Sequence, residues 1–454
     1  LFIAGPVDGD ETKVQKVLSE WDRILKPVSR EWPTLYEFET DLRSKVGPMS
    51  VTFPLSKRLT DIDNYYDLIS KDQSPVEQRA LDAVVREWGR GLTAVRSEYN
   101  TLDKMKKSTS SGSPFYRKKR KVIDETYPCF VDNENGEVDQ YLGINDDHWK
   151  ACAVLGWRGQ EGGPKPEDTK QRVVWMFPFA VNLQELRVYQ PLVEYAQEHE
   201  IVPAWIGRDA VNKAITKLFD TKGSKDLIVC TDFSKFDQHF NQVCQEGAKE
   251  ILTRILPSNA DAKAWLEDVY PIKYMIPLAY DWGKVRFGPH GMGSGSGGTN
   301  ADETLLHRAL QYEAAMQHGA ELNPYSMCLG DDGILSYPGI TVEDVTRAYE
   351  SHGQECNISK QYASEQDCVY LRHWHHRDYR NAENICVGVY STFRALGRLM
   401  YQERWYDPEE WGPKMVALRQ LSIIENCNAH PYREEFARFC MKRDKYRLGI
   451  DIPG

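Results

Sequence analysis

Residues 326–337 read SMCLGDDGILSY, two short apolar runs on either side of Gly-Asp-Asp-Gly. Runs of this length around a Gly/Asp turn predict a β-hairpin with Asp331 and Asp332 at its tip. Two adjacent carboxylates repel each other. The tip is therefore either a tight turn that favours Asp and Gly or part of a cation site, and the hairpin alone leaves both interpretations open.

A second acidic motif lies earlier in the chain, in DLIVCTDFSKFD at residues 226–237. Its apolar start predicts a buried strand that ends at Asp232, with Asp237 beyond a turn. If this strand end meets the hairpin tip, the carboxylates form a cluster that requires cations. Carboxylates, phosphate oxygens and water are the ligands of Mg²⁺, and two such ions about 4 Å apart suit in-line phosphoryl displacement.

The glycine-rich stretch GPHGMGSGSGG, residues 288–298, lies between the two acidic motifs. It satisfies G-x-G-x-x-G, but Gly-Pro interrupts the segment before it and the next helix leads to the acidic hairpin, which argues against dinucleotide binding. A helix is predicted over 299–318, with Thr299 as its N-cap. A Ser/Gly loop before a helix N-terminus suits contact with a ribose and a phosphate.

The charge of the chain is unevenly distributed. The net charge is −10, from 57 Lys and Arg against 67 Asp and Glu, which excludes a polybasic nucleic-acid binder. Residues 103–121, DKMKKSTSSGSPFYRKKRK, nevertheless carry +7 over 19 residues. Ser, Gly and Pro predict a loop there, either a solvated surface loop or part of a basic channel for a polyanion.

Length and cysteine content set the broad class. A chain of 454 residues suggests about three domains. Ten cysteines without a C-x-x-C pair are expected to be reduced thiols. No apolar run approaches the roughly 18 residues of a membrane span. The chain starts at Leu1, and we expect it to be trimmed or processed.

The motifs taken together resemble those of viral RNA-dependent RNA polymerases. TDFSKFDQHF (231–240) resembles motif A, GSGSGGTNADET (293–304) motif B and LGDD (329–332) motif C. NISK (357–360) resembles motif D, YLRHWHH (370–376) occupies the place of motif E, KQRVV (170–174) resembles motif F and TSSGSP (109–114) motif G. The match covers about residues 105–376, and the wording is most similar to picobirnaviruses, with partitiviruses next.

The resemblance implies an α+β right-hand architecture with helix-rich fingers and thumb and an antiparallel palm sheet. The implied boundaries are 1–60 for an N-terminal extension, 61–188 and 271–288 for the fingers, 189–270 and 289–376 for the palm, and 377–454 for the thumb. The implied activity is template-directed RNA synthesis from nucleoside triphosphates by two-metal nucleotidyl transfer, which replicates and transcribes the RNA genome of a double-stranded RNA virus.

The resemblance also implies partners and roles. The cofactor would be Mg²⁺, with Mn²⁺ as an alternative; the partners would be template and nascent RNA, nucleoside triphosphates and a viral capsid protein, in the virion interior or the host cytoplasm. Catalysis would involve Asp232, Asp331 and Asp332 as metal ligands and Lys360 as the proton donor to pyrophosphate. Nucleotide binding would involve Asp237, Ser294, Thr299, Asn300, Lys170, Arg172, Arg158 and Lys165. RNA contacts would come from Thr109, Ser110, Gly112, Arg117, Lys118, Arg372 and His373.

One position departs from the family pattern, and three alternatives stay open. Many relatives carry Asn four residues after the motif B Thr, where this chain has Glu303, so Glu303 or Asn300 could be the partner of Asp237. A reverse transcriptase is an alternative within the class, although Leu329-Gly330 before the acids fits RNA polymerases better. A noncatalytic RNA-binding protein is disfavoured because four clustered acids repel RNA. The HWHH segment with nearby cysteines leaves zinc conceivable, but its spacing fits no compact Cys/His pattern.

Overall fold

The computed structural model describes residues 11–70, 72–92, 94–403 and 409–453, and they form a mixture of helices and sheets. The helices in chain order are α1 (Glu11–Leu25), α2 (Val28–Glu31), α3 (Pro33–Arg43), α4 (Leu59–Asp67), α5 (Gln78–Trp88), α6 (Glu98–Lys104), α7 (Ile123–Thr126), α8 (Phe179–Glu198), α9 (Pro203–Ile206), α10 (Arg208–Thr221), α11 (Gln242–Ile255), α12 (Ala260–Asp268), α13 (Thr299–Gln317), α14 (Val342–Glu350), α15 (Thr392–Met400), α16 (Pro413–Glu425) and α17 (Arg433–Arg443).

The strands are short, and most of their pairings are antiparallel. In chain order they are β1 (Cys129–Glu134), β2 (Glu137–Leu142), β3 (Asp147–Lys150), β4 (Ala153–Gln160), β5 (Lys170–Met176), β6 (Ile228–Thr231), β7 (Phe233–Ser234), β8 (Leu278–Asp281), β9 (Lys284–Arg286), β10 (Met327–Leu329), β11 (Asp332–Leu335), β12 (Glu355–Cys356), β13 (Tyr362–Ser364), β14 (Asp367–Tyr370), β15 (His373–His376) and β16 (Val389–Tyr390).

The chain divides into two compact units. The first comprises Leu1–Pro54, Trp157–Arg172 and Asp367–Gly454, and the second comprises Leu55–Gly156 and Val173–Gln366. Both boundaries of the inserted segment 157–172 fall inside strands, β4 and β5. The predicted limits of fingers, palm and thumb differ from these units and remain predictions.

The core of the first unit joins the two ends of the chain. Apolar side chains of α1 and α3 pack with those of the C-terminal helices; Trp21, for example, meets Phe436 edge to face at a ring-centroid distance of 5.0 Å. The buried carboxylate of Glu39 accepts hydrogen bonds from Ser391 Oγ (2.6 Å) and Thr392 N (2.9 Å) at the start of α15. After residue 377 the described residues contain α15, α16 and α17, with the short strand β16 before them; that this segment forms a mostly helical thumb stays a prediction.

The second unit contains a central sheet and a central helix. The sheet has four strands in the order β10-β11-β6-β13, and each pairing is antiparallel. Helix α13 is buried around most of its circumference, as expected for a helix enclosed by other elements. It packs on α5, α11, α14 and β10. The packing of α13 against β10 fixes the start of this helix relative to the central sheet.

The structure bears on the predicted thiols and on the search for membrane spans. All ten cysteines are free thiols, as predicted. In the described residues, no helix is both long enough and apolar enough to cross a bilayer.

Candidate active site

The two acidic motifs lie at the same end of the central sheet. In the β10–β11 hairpin Leu329 lies opposite Asp332, which confirms the predicted hairpin. β11 pairs with β6 so that Gly333 lies opposite Thr231. Asp232 follows Thr231 and Asp332 precedes Gly333, so both acids directly adjoin this last pair of the register. Asp232 and Asp331 are exposed and Asp332 is half-buried. The three acids are therefore accessible to solvent at this end of the sheet.

The hairpin tip is a two-residue turn anchored to α13. Gly330 has φ +58°, and glycine is favoured at the first central position of such a turn when φ is positive. Its backbone N–H donates to Thr304 Oγ1 at 2.9 Å. Its carbonyl lies 2.8 Å from Nδ1 of buried His307. Burial lowers the pKa of His307 to about 4, so the imidazole is neutral and Nδ1–H donates to that carbonyl.

The side chain of Gln361 forms hydrogen bonds with the backbone of Asp232. Its Oε1 accepts from Asp232 N at 2.8 Å, and its Nε2 donates to Asp232 O at 2.7 Å. The same Nε2 lies 3.1 Å from the carbonyl of Asn357. Gln361 follows Lys360 directly, so the segment predicted to carry the proton donor is joined to Asp232, a predicted metal ligand. Sequence reasoning missed Gln361, although its place beside Lys360 was a usable signal.

Asp237 is paired with Glu303 of α13. Glu303 is buried, and burial together with the Asp237 carboxylate, with which it shares a hydrogen bond, raises the pKa of Glu303 well above its usual range. Two ionised carboxylates could not form that bond, because neither could donate. The proton therefore resides on Glu303, which donates to Asp237.

Asn300 lies beside the turn between β10 and β11, and its side chain is held by Trp205. Its Oδ1 accepts from the indole Nε1 of Trp205 in α9 at 2.8 Å. A methyl group built on Gly330 would lie 3.6 Å from both Asn300 Nδ2 and Glu303 Oε2, so both side chains border the acidic turn. Trp205 therefore fixes which end of the Asn300 amide faces this turn. No sequence motif indicated this role of Trp205.

The glycine-rich loop is fixed to the strand before α8. Ser294 Oγ accepts from Trp175 N at 3.2 Å and donates to Val173 O at 3.3 Å. The prediction that Thr299 is the N-cap of α13 is wrong: the cap is Gly298, and Thr299 is the first helical residue. Because the helix starts at Thr299 itself, its hydroxyl is not in the capping position, and Thr299 Oγ1 instead donates to the loop carbonyl of Gly293 at 3.2 Å.

Comparison with known proteins decides the family. A family model described as viral RNA-dependent RNA polymerase matches residues 85–373, well over half of the chain. The chain belongs to the viral RNA-dependent RNA polymerases. It is 59% identical over 444 residues, 97% of this chain and 82% of the relative, to a potential RNA-dependent RNA polymerase of human picobirnavirus (strain Human/Thailand/Hy005102/-).

Two solved structures agree with this membership. The crystal structure of a human picobirnavirus RNA-dependent RNA polymerase matches the present polymerase with a TM-score of 0.95 and 59% identity, covering 97% of this chain and 84% of that one. The insertion-loop deletion mutant of such an enzyme matches with the same score and identity over 86% of its chain. The protein is therefore an RNA-directed RNA polymerase, a nucleotidyltransferase.

The residues predicted to meet the triphosphate lie in the first unit. Lys165, Lys170 and Arg172 are exposed. Arg158 forms an ion pair with Glu403 at 2.6 Å, and this hydrogen bond raises the pKa of the guanidinium.

The basic loop within residues 103–121, which is predicted to contact the template, is held by contacts among its own residues. Ser110 and Lys118 form an antiparallel bridge, and Lys119 Nζ donates to Thr109 Oγ1 at 2.7 Å. Thr109, Ser110, Arg117 and Lys118 are exposed, as the polymerase resemblance requires of RNA contacts. Gly112 is buried with φ +58°, and a side chain there would meet the carbonyl of Phe177 at 2.7 Å. Its role is therefore to let the loop approach that strand end.

The remaining predicted residues lie in segments 357–361 and 370–376. Lys360 ends a short 3₁₀ helix, Ile358–Lys360, and is exposed. Arg372 is exposed in the turn between β14 and β15, and His373 follows it. His375 contacts the carbonyl of Cys386 at 3.1 Å, and no three His, Cys, Asp or Glu side chains form a preassembled metal cluster in the described parts of the chain.

Proposed function

We propose that this polymerase performs template-directed RNA synthesis by two-metal nucleotidyl transfer and thereby replicates and transcribes an RNA genome. The observation that supports this proposal most directly is that Asp232 and the Asp331–Asp332 turn lie at the same end of the central sheet. The proposed layout is a right hand with the fingers, palm and thumb limits predicted above, and the central antiparallel sheet is its palm.

The carboxylate oxygens at this end of the sheet are suitable ligands for a hard divalent cation. Asp232, Asp331 and Asp332 offer carboxylate oxygens, which Mg²⁺ and Mn²⁺ both accept. The described residues contain no preassembled cluster of three such groups, so phosphate oxygens and water would complete the coordination. When bound, the ions would polarise the attacking 3′-hydroxyl and neutralise charge on the phosphates. The protein residues then orient the primer end and the nucleotide.

Ribose recognition is assigned to the pair Asp237–Glu303 and to Asn300. The proton on Glu303 leaves the Asp237 carboxylate as an acceptor for a 2′-hydroxyl. Glu303 thereby takes the position of the usual Asn by acting as a hydrogen-bond donor. Asn300, held by Trp205, supplies an oriented amide beside the same turn. Ser294 and Thr299 shape the adjoining loop.

Charge stabilisation is assigned to basic side chains. Lys360, joined through Gln361 to Asp232, would protonate the leaving pyrophosphate. Arg172 and Lys170, with Arg158 and Lys165, would bind the triphosphate. The RNA partners would follow the exposed residues of loop 103–121 and Arg372–His373, while acids elsewhere account for the net charge of −10.

The biological setting belongs to the same proposal. An enzyme that copies a double-stranded RNA genome would work in the virion interior or the host cytoplasm, with a capsid protein as a further partner. This assignment is supported by the similarity to polymerases of human picobirnavirus.

The test is nucleotide incorporation on a defined RNA template with Mg²⁺, with ribonucleotides and deoxyribonucleotides supplied separately. We expect template-dependent RNA synthesis that is lost in Asp331→Ala and retained in Asp261→Ala, an exposed acid at the start of α12. Preference for deoxyribonucleotides would favour a reverse transcriptase instead. RNA binding without incorporation in any condition would favour a noncatalytic RNA-binding protein.

A further inference from the structure

A buried glutamate of α8 grips the glycine-rich loop. Glu185 is completely inaccessible to solvent. Its Oε2 accepts a short hydrogen bond from Ser296 Oγ, and its Oε1 accepts from Gly297 N at 3.1 Å. Both oxygens of one carboxylate are therefore used on two consecutive loop residues. Such a bidentate grip restrains position as well as orientation.

The grip continues into the first turn of α13. Ser296 Oγ also accepts from Gly298 N at 3.0 Å, and Ser296 O lies 3.3 Å from Thr299 Oγ1. The carbonyl of Gly298 then accepts from Asp302 N at 2.9 Å. A continuous set of hydrogen bonds thus runs from Glu185 to the turn of the helix that carries Asn300 and Glu303.

The loop lies directly on α8 because its glycines have no side chains. A methyl group on Gly298 would come within 2.3 Å of the Tyr189 ring, and one on Gly297 within 3.0 Å of Leu186. Close packing of this kind lets a buried carboxylate reach the loop backbone. It also means that a small displacement of the loop must break the bonds to Glu185.

We propose that Glu185 is a positioning residue for nucleotidyl transfer, whose carboxylate holds the loop and the start of α13 in the arrangement that presents Thr299, Asn300 and Glu303 to the nucleotide. The inference rests on the proposed function, since the roles of those three residues belong to it. Glu185 itself lies behind the loop and touches neither the acids of the site nor its solvent-facing edge.

The charges around Glu185 make this grip sensitive to pH. The facing groups are Lys273 from the 3₁₀ helix Tyr270–Tyr274, Asp302 from α13 and Tyr189 of α8 itself. Lys273 Nζ lies 3.1 Å from Asp302 Oδ2, so one buried cation serves two buried acids. Burial raises the pKa of Glu185 to about 7, opposed by Lys273 and the bond from Ser296. Protonation removes an acceptor and weakens the grip.

The first test compares Glu185→Gln with wild type and with Glu198→Gln, an exposed glutamate at the end of the same helix. Steady-state incorporation on one RNA template is measured from pH 6 to pH 8. At pH 8 we expect kcat/KM of Glu185→Gln to be about tenfold lower than wild type, because the amide offers one acceptor oxygen for two donors. The ratio of wild-type to variant kcat/KM should fall about fivefold from pH 8 to pH 6, because a group with a pKa near 7 is mostly but not completely protonated at pH 6. Glu198→Gln should keep a constant ratio near one.

A second variant keeps the proposal testable if Glu185→Gln folds poorly. Ser296→Ala removes one of the two donors and should lower kcat/KM about three- to tenfold at pH 8. Its melting temperature should fall by a few degrees, because the buried Oε2 of Glu185 loses its partner. Adding Glu185→Gln to Ser296→Ala should cost less than it does in wild type, because both act through one contact.

Three results would overturn the proposal: wild-type kcat/KM at pH 8 in either single variant, a wild-type to Glu185→Gln ratio that does not change with pH, or losses in kcat/KM that are fully additive in the double variant. These outcomes all require wild-type incorporation. Failure of the proposed function would instead show as no incorporation by the wild-type enzyme, so the two failures are distinguishable.

Discussion

Gln361 and Asp232 are joined by two hydrogen bonds, in which the side-chain amide satisfies the backbone N–H and carbonyl of the acid at 2.8 and 2.7 Å. Asp232 itself lies just beyond β6, where strand pairing has ended. The amide therefore replaces a strand neighbour and fixes the backbone from which the carboxylate projects. Because Lys360 precedes Gln361, the contact also sets the distance between the proposed proton donor and the proposed metal ligand.

Replacing Gln361 should weaken catalysis without abolishing it. In Gln361→Ala both backbone groups of Asp232 lose their partner, and we expect kcat to fall about tenfold to a hundredfold. Gln366→Ala, an exposed glutamine in the same unit, serves as the matched control. Single-turnover incorporation measures the effect. Equal rates for both variants would show that the Gln361 contact does not position Asp232.

Removing a proposed metal acid should abolish synthesis while preserving the fold. Asp232→Ala or Asp331→Ala removes one ligand of a hard cation, and several kcal/mol of charge stabilisation corresponds to at least about a thousandfold loss in rate. Thermal unfolding without metal should show an unchanged or slightly raised melting temperature, because repulsion between carboxylates is relieved. Near-normal activity in Mg²⁺ for either variant would contradict the assignment.

Discrimination between sugars should depend on Asp237. In Asp237→Ala the acceptor for the 2′-hydroxyl is lost, so we expect ribonucleotide use to fall far more than deoxyribonucleotide use, by about 1–3 kcal/mol. The quantity to compare is kcat/KM for the two nucleotide types. A parallel fall for both sugars would indicate that Asp237 only stabilises the turn after β6.

Asn300 can be separated from Asp237 by its own variants. Asn300→Ala removes the amide, whereas Trp205→Phe keeps it and removes only the indole N–H that orients it. We expect both variants to discriminate less well between ribonucleotides and deoxyribonucleotides. The smaller loss of discrimination, about 1 kcal/mol, is expected in Trp205→Phe. Discrimination that depends on Asp237 and Glu303 but not on Asn300 would assign the reading to the acid pair alone.

Acid should destabilise the fold through His307. Burial lowers the pKa of this histidine to about 4 from 6.5. The unfolded chain therefore binds a proton between pH 6.5 and pH 4 that the folded chain does not, and stability falls as pH falls through this window. The loss attributable to His307 approaches about 3 kcal/mol at pH 4. Urea unfolding of wild type and His307→Asn across this range should show the two curves converging, and parallel curves would refute the prediction.

Short-range pattern was enough to predict much of the polymerase. The acidic hairpin follows from two apolar runs and the turn preference of Gly and Asp, and the helix after the glycine-rich loop was placed to within one residue of α13. The strand predicted to end at Asp232, which ends at Thr231, and the loop character of 105–118 within the predicted loop 103–121 follow from the same local rules. These features depend on neighbours in the chain, so the sequence carries them directly.

Only the tertiary structure decided which polar groups meet. The pairing of Asp237 with Glu303, the hold of Trp205 on Asn300 and the grip of Glu185 on the loop each join residues far apart in the chain. Local pattern also mistook Thr299 for the helix cap, because its hydroxyl bonds to a carbonyl that the folded loop brings near. A buried polar group takes whichever partner packing places within reach, and that choice depends on how whole elements pack, which residue spacing does not encode.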